Sequence, residues 1–215
     1  MKTFTSITFM LCVMASTACA PMQSAYRIEP APVVGAGAPR VAVLLLEDAR
    51  AEDEKTGAGA GLFNKSTKDA LYSDNVSSGI TTALIDELRA RGIDATSVAP
   101  APIHITGRIA NYRAFIVPPR TAFIPYVSYV TWIWTHDKLS AGVVLDLKVT
   151  TARGTILEKR FSASRNADEW VGIAGLASTA RRLDQETLVK FLQAGLKDCL
   201  TKAADEITPV VRNAR

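Results

Sequence analysis

Residues 140–150 (SAGVVLDLKVT) alternate strictly: Val143, Leu145, Leu147 and Val149 fall on one side, Val144, Asp146, Lys148 and Thr150 on the other. Side chains of an extended strand point to opposite faces in turn, so this pattern predicts a strand with one dry face and one wet face. Ala152-Arg153-Gly154 supplies a turn into 155–162 (TILEKRFS), which completes an antiparallel hairpin. An isolated hairpin is marginal in water, so another part of the chain must cover the dry face.

Two segments can do so. In residues 184–207, Leu188, Leu192, Leu196 and Leu200, with Phe191, Cys199, Ala203 and Ile207, form a wide apolar stripe, and Lys190, Lys197, Lys202 and Asp205 lie outside it. From a cap at Ser73 or Asp74 to Arg91, Val76, Ile80, Leu84 and Leu88 recur every fourth residue, and Gly92 supplies the stop. Residues 40–47 (RVAVLLLE) read as a strand covered on both faces. Residues 103–113 alternate, with Ile103, Ile105, Gly107 and Ile109 opposed to His104, Thr106, Arg108 and Ala110. Residues 166–182 show no decisive pattern, and no internal repeat is present. The expectation is an α/β two-layer sandwich: a small mixed β-sheet covered by two amphipathic helices, in the order β-α-β-(β)-β-β-α. It occupies one domain, 40–207, followed by a C-terminal tail, 208–215.

The chain's start predicts an address. Lys2 is the only charge before Arg27, residues 4–15 are uncharged and mostly apolar, and Ser16-Thr17-Ala18-Cys19 follows. A basic start, a short apolar stretch and small residues describe a secretory signal, here 1–18. The apolar run is short for a membrane span, which needs about 20 residues. Ser16-Thr17-Ala18-Cys19 resembles the lipobox of bacterial lipoproteins, in which the cysteine is acylated (palmitate-type chains included) and becomes the new N-terminus. It departs from that pattern at Ser16, where the family usually carries Leu. Ordinary cleavage after Ala18 or Ala20 is the competing reading. The lipoprotein resemblance implies the outer membrane facing the periplasm, because Ala20 is not the aspartate linked to inner-membrane retention. Residues 19–39, with the lipid-attachment Cys19 and a Pro/Ala/Gly-rich stretch, read as an extended tether. Cys12 leaves with the signal, so Cys199 remains as a lone thiol without a disulfide partner.

The order of elements also resembles the YajG-type lipoproteins of bacterial envelopes. The matching features are the first strand ending in Asp48-Ala49-Arg50, Leu84 and Leu88 before Arg91-Gly92, and Ile105-Thr106-Gly107-Arg108-Ile109. The hairpin at Gly154 and Asp198-Cys199-Leu200 in the last helix complete them. The resemblance implies a small envelope lipoprotein and transfers no activity.

Residues 115–134 hold Phe115, Phe123, Tyr126, Tyr129, Trp132 and Trp134, and Pro118, Pro119 and Pro125 forbid a continuous helix there. Three readings stay open. The segment is a further strand of the sheet, an arm that contacts a partner protein or ligand, or an element of the membrane interface.

Other motifs fail on chemistry. Gly59-Ala60-Gly61 through Lys65-Ser66 has Asn64 where a phosphate loop needs glycine. His104 and His136 lack the spacing of a zinc site, and the acidic run Glu47, Asp48, Glu52, Asp53, Glu54 lacks a calcium-loop pattern. The net charge of +4 is spread along the chain rather than gathered into a nucleic-acid stripe. Asp146, His104 and Arg108 are the first residues to test for an unrecognised catalytic site. The expectation is therefore a non-enzymatic, lipid-anchored envelope protein without metal or cofactor. It is an accessory or scaffold domain that contacts another envelope component, with Phe123, Tyr126, Tyr129, Trp132 and Trp134 as contact residues. The alternative is a periplasmic small-molecule or lipid-binding carrier that uses the aromatic segment.

Overall fold

The computed structural model describes residues 21–30, 33–58, 65–98, 100–117, 136–170 and 185–214. Its strands are β1 (Arg40–Val43), β2 (Glu47–Asp48), β3 (Lys65–Ser66), β4 (Asp94–Thr96), β5 (Ile103–Val117), β6 (His136–Thr151) and β7 (Gly154–Trp170). Its helices are α1 (Glu52–Thr56), α2 (Val76–Ala90) and α3 (Gln185–Asn213), and a single 3₁₀ turn covers Asp69–Leu71.

The strands form one mixed sheet in the order β4-β1-β5-β6-β7. β1 and β2 run parallel to β5 and β3 runs antiparallel to it, all along the edge that β6 leaves free. Helix α3 packs along β5, β6 and β7, and α2 lies beside it toward β4 and β2. This is the expected two-layer α/β sandwich. Val143, Leu145, Leu147 and Val149 meet Ile80, Leu84, Leu88, Leu188, Leu192, Leu196 and Leu200 in one core, all of them buried. Burying each such side chain contributes about 1.5–3 kcal/mol, which makes this layer contact the main source of stability.

The differences from expectation have local causes. The 40–47 run is a strand covered on both faces only through Val43; Leu45 is 67% exposed, and the chain rejoins β5 at β2. A β-bulge between Ile109 and Asn111 inverts the alternation of β5. Tyr112, Ala114 and Ile116 therefore enter the core in place of the odd-numbered residues. Asn75 caps α2, its side chain accepting from the Ser77 amide at 2.8 Å, while Asp74 is engaged elsewhere. Helix α3 continues past Pro209 to Asn213, so residues 208–213 belong to the domain instead of forming a tail. The Thr208 hydroxyl donates to the Ala204 carbonyl (2.6 Å), and Arg212 donates to the Arg91 carbonyl (2.8 Å), which tie this last turn down.

Candidate functional site

Cys19, Phe123, Tyr126, Tyr129, Trp132 and Trp134 lie outside the described residues. At the edge of the aromatic segment Phe115 is described, with the Arg113 guanidinium 5.5 Å from its ring centre. Of the three residues singled out for catalysis, the structure brings together Arg108 and Asp146. His104 sits opposite Thr150, four positions along β5 from Arg108, which is roughly 13 Å at strand rise.

Both long helices lie on one side of β5, β6 and β7; among the described residues the other face meets only the short α1, where Asn111 donates to Glu54 at 2.8 Å, and is open around Arg108 and Arg160. Register places Arg108, Asp146 and Arg160 in one row across it. Arg108 Nε donates to Asp146 Oδ2 at 2.9 Å; Arg160 Nε donates to Oδ1 at 2.6 Å and its Nη2 to Oδ2 at 2.9 Å. The next row carries Lys148 and Glu158, 3.3 Å apart. Glu47, Thr106 and these charged groups line a shallow concavity of about 550 Å³. A side chain at Gly107 would collide with the Asp146 carbonyl and Leu147, so glycine there permits the close approach of β5 to β6.

Hydrogen bonds from Arg160 above all hold the Asp146 carboxyl down at about 2; burial opposes them, and the hydrogen bond from Arg108 and the charges of both guanidinium groups add to the lowering. A carboxylate so stabilised is a weak base, and two guanidinium groups already occupy it. The row suits recognition of a charged surface better than proton transfer. Arg160 was not singled out in the sequence. Counting back across the turn at Gly154 would place Lys159 opposite Asp146; a register shift between Val149 and Thr150 brings Arg160 there instead, and no sign of that shift is present in the sequence.

A second arrangement lies at the N-terminal segment. Where the sequence predicts an extended tether, residues 22–28 are docked along α2. The Met22 amide donates to the Leu71 carbonyl (3.0 Å), and the Ser73 amide donates to the Met22 carbonyl (2.8 Å). Ser24 is fully buried, its amide and hydroxyl donating to the two Asp74 carboxylate oxygens at 2.6 and 2.9 Å. Tyr112 donates to the Ser24 carbonyl, Gln193 to that of Gln23 (2.8 Å), and the Tyr26 hydroxyl to Glu87 (2.6 Å). A Cβ at Gly79 would collide with Ser24 Oγ, so this helix position must be glycine for the segment to dock. Burial, with the Glu87 carboxylate behind it, pushes the Tyr26 hydroxyl well above its ordinary range.

Nearby, Arg50 is buried between Asp48 (2.7 and 2.8 Å) and Asp69 (2.9 and 3.0 Å). Burial acts to raise the Asp48 carboxyl, and hydrogen bonds from Arg50 more than offset it. Every Arg50 partner belongs to the domain, so this knot joins β2 to the 3₁₀ turn and is structural. Among the described residues no cluster of His, Cys, Asp and Glu could hold a metal ion, and no helix is long and apolar enough to cross a membrane.

No family model and no curated protein matches the chain. Solved structures similar to it include a Xanthomonas campestris protein of the DUF330 family, 7% identical over 85% of this chain and 95% of that one, with a TM-score of 0.49. Another is the proposed Helicobacter pylori homologue of a neuraminyllactose-binding hemagglutinin, 11% identical over 88% and 91%, with a TM-score of 0.43. A Caulobacter crescentus protein described as a lipoprotein is 11% identical over 63% and 79%, with a TM-score of 0.32. At these values each is a likeness and carries no conclusion about what this chain does.

Proposed function

We propose that this chain is a non-enzymatic bacterial envelope protein, anchored through an acylated Cys19, that supports another envelope component through the open face of β5, β6 and β7. One observation carries the contact reading. Both long helices lie on one side of these three strands, and the other side presents Arg108, Asp146 and Arg160 in register. The guanidinium groups keep N–H donors beyond those spent on Asp146, which suits an acidic patch on a partner. The YajG-type resemblance and an outer-membrane address belong to the same proposal and rest on the sequence.

The test is a photo-crosslinking residue at Ser162, which is exposed on that face, in cells that produce the protein. A discrete adduct that disappears in a folded Arg108→Glu/Arg160→Glu variant supports the reading. No adduct, or an adduct indifferent to the charge reversal, refutes it. Trp132→Ala with Trp134→Ala should weaken partner capture and leave thermal unfolding nearly unchanged; a large stability loss would instead mark the aromatic segment as core.

A further inference from the structure

We propose that residues 22–28 are a strap that fixes the domain's orientation on a lipid bilayer, turning the end of the molecule that carries Ser73 and Lys138 toward the headgroups. The inference rests on the anchor reading of Cys19 and adds which face of the molecule the anchor holds down.

Distance makes the case. Cys19 precedes Met22 by three positions, and three residues of extended chain reach at most about 11 Å. A free coil of some twenty residues, as the composition of 19–39 suggests, would have a root-mean-square span of roughly 25 Å and would let the domain tumble. The strap removes that freedom because it is locked at several independent places: to the 71–73 turn, to Asp74, to Tyr112 of β5, to Gln193 of α3 and to Glu87 of α2. Ser24 and Ala25 are buried as deeply as the core. Gly79 shows that α2 is shaped for this segment, since an interior helical glycine is otherwise unfavourable by about 0.5–1 kcal/mol against alanine.

Two internal rulers define the far end. From Val143, which pairs with Tyr112, β6 runs roughly 26 Å to the turn after Thr151 and roughly 23 Å the other way to His136 at strand rise, so the strap docks near mid-sheet and the asymmetry comes from α3. From Gln193, α3 runs to Arg212, roughly 28 Å away at helical rise. The end carrying Arg153 and Arg212 therefore points away from the bilayer. The β5–β6–β7 face stands alongside the membrane normal, where it is open to a neighbouring component.

The experiment attaches the lipid chemically, so it does not depend on what the cell does to Cys19. The chain from Cys19 onward contains every described residue. Cys199 is fully buried with its thiol pushed up to about 12 by that burial, so a maleimide phospholipid couples at Cys19. The isotope-labelled product is placed in nanodiscs whose lipid headgroups carry a paramagnetic ion, and loss of amide signal is read residue by residue. Loss at Lys138, Met22 and Ser73, with full intensity at Arg153 and Arg212, is the expected result. Equal loss at both ends, or selective loss at Arg153, overturns the proposal. Gly79→Ala should erase the difference between the ends by expelling Ser24, and Asp74→Asn does the same if the alanine variant does not fold. A difference that persists in a folded variant with a displaced strap also overturns it. The intact mass of protein extracted from membranes reports separately on the anchor: an unacylated chain there removes the Cys19 reading without touching the nanodisc result.

Discussion

The two faces of β5 and β6 are made by alternate residues of the same strands, yet different forces hold them. On the covered face Val143, Leu145, Leu147 and Val149 are locked against α2 and α3 by burial, which is non-directional and tolerates imprecise matching. On the open face Asp146 meets Arg108 and Arg160 only because register brings them opposite, and a slip of one residue would separate them. The covered face supplies stability and the open face supplies chemistry. A change on one should therefore leave the other largely intact.

The sharpest way to break that division is Leu145→Ala against Val144→Ala, adjacent residues on opposite faces. The first should cost about 2–5 kcal/mol in denaturant unfolding and the second less than about 1 kcal/mol. Comparable losses would mean that the open face is covered. Next is Asp74→Ala, which leaves the buried Ser24 amide and hydroxyl without their acceptor. A loss of about 1–3 kcal/mol, with faster proteolysis before residue 30, is expected.

Asp146→Asn should have the smallest effect, under about 1 kcal/mol, because surface ion pairs are largely screened. Its sign with pH is definite. The folded carboxyl is depressed to about 2, so its contribution is present above the unfolded carboxylate value of about 3.9 and is lost as pH falls through about 2. The small stability gap between wild type and Asp146→Asn should close across that window, read as the difference between their acid-unfolding curves. A gap that survives below pH 2 would show that the carboxylate's charge is not what matters there.

Much of the covered face was legible because periodicity reports burial directly. The stripes of α2 and α3 and the hairpin alternation were all present as patterns in the chain. The inversion of β5 after Ile109 was not, since a bulge depends on how β6 pairs and leaves little local trace. The strap was illegible for a related reason. Met22 to Tyr26 have no period and a small-residue composition, which alone predicts a coil, and only Gly79 within α2 hinted that something must approach closely there. Asp74 and Asn75 are both good caps. What decided between them was Ser24, far upstream, which takes both Asp74 oxygens and leaves the capping to Asn75.

By itself the sequence determined the layers of this protein: which segments extend, which coil into helices, and which face of each is dry. Hydrophobic periodicity is local and reports the environment of each residue without reference to its neighbours in space. Only the tertiary structure decided that Arg160 joins Arg108 on Asp146, that Arg50 is buried between two aspartates, and that the apparent tether is part of the fold. Directional hydrogen bonds and ion pairs need their partners placed within about 3 Å, and, the neighbouring Asp48 and Arg50 apart, no single segment of the chain contains both ends of those contacts.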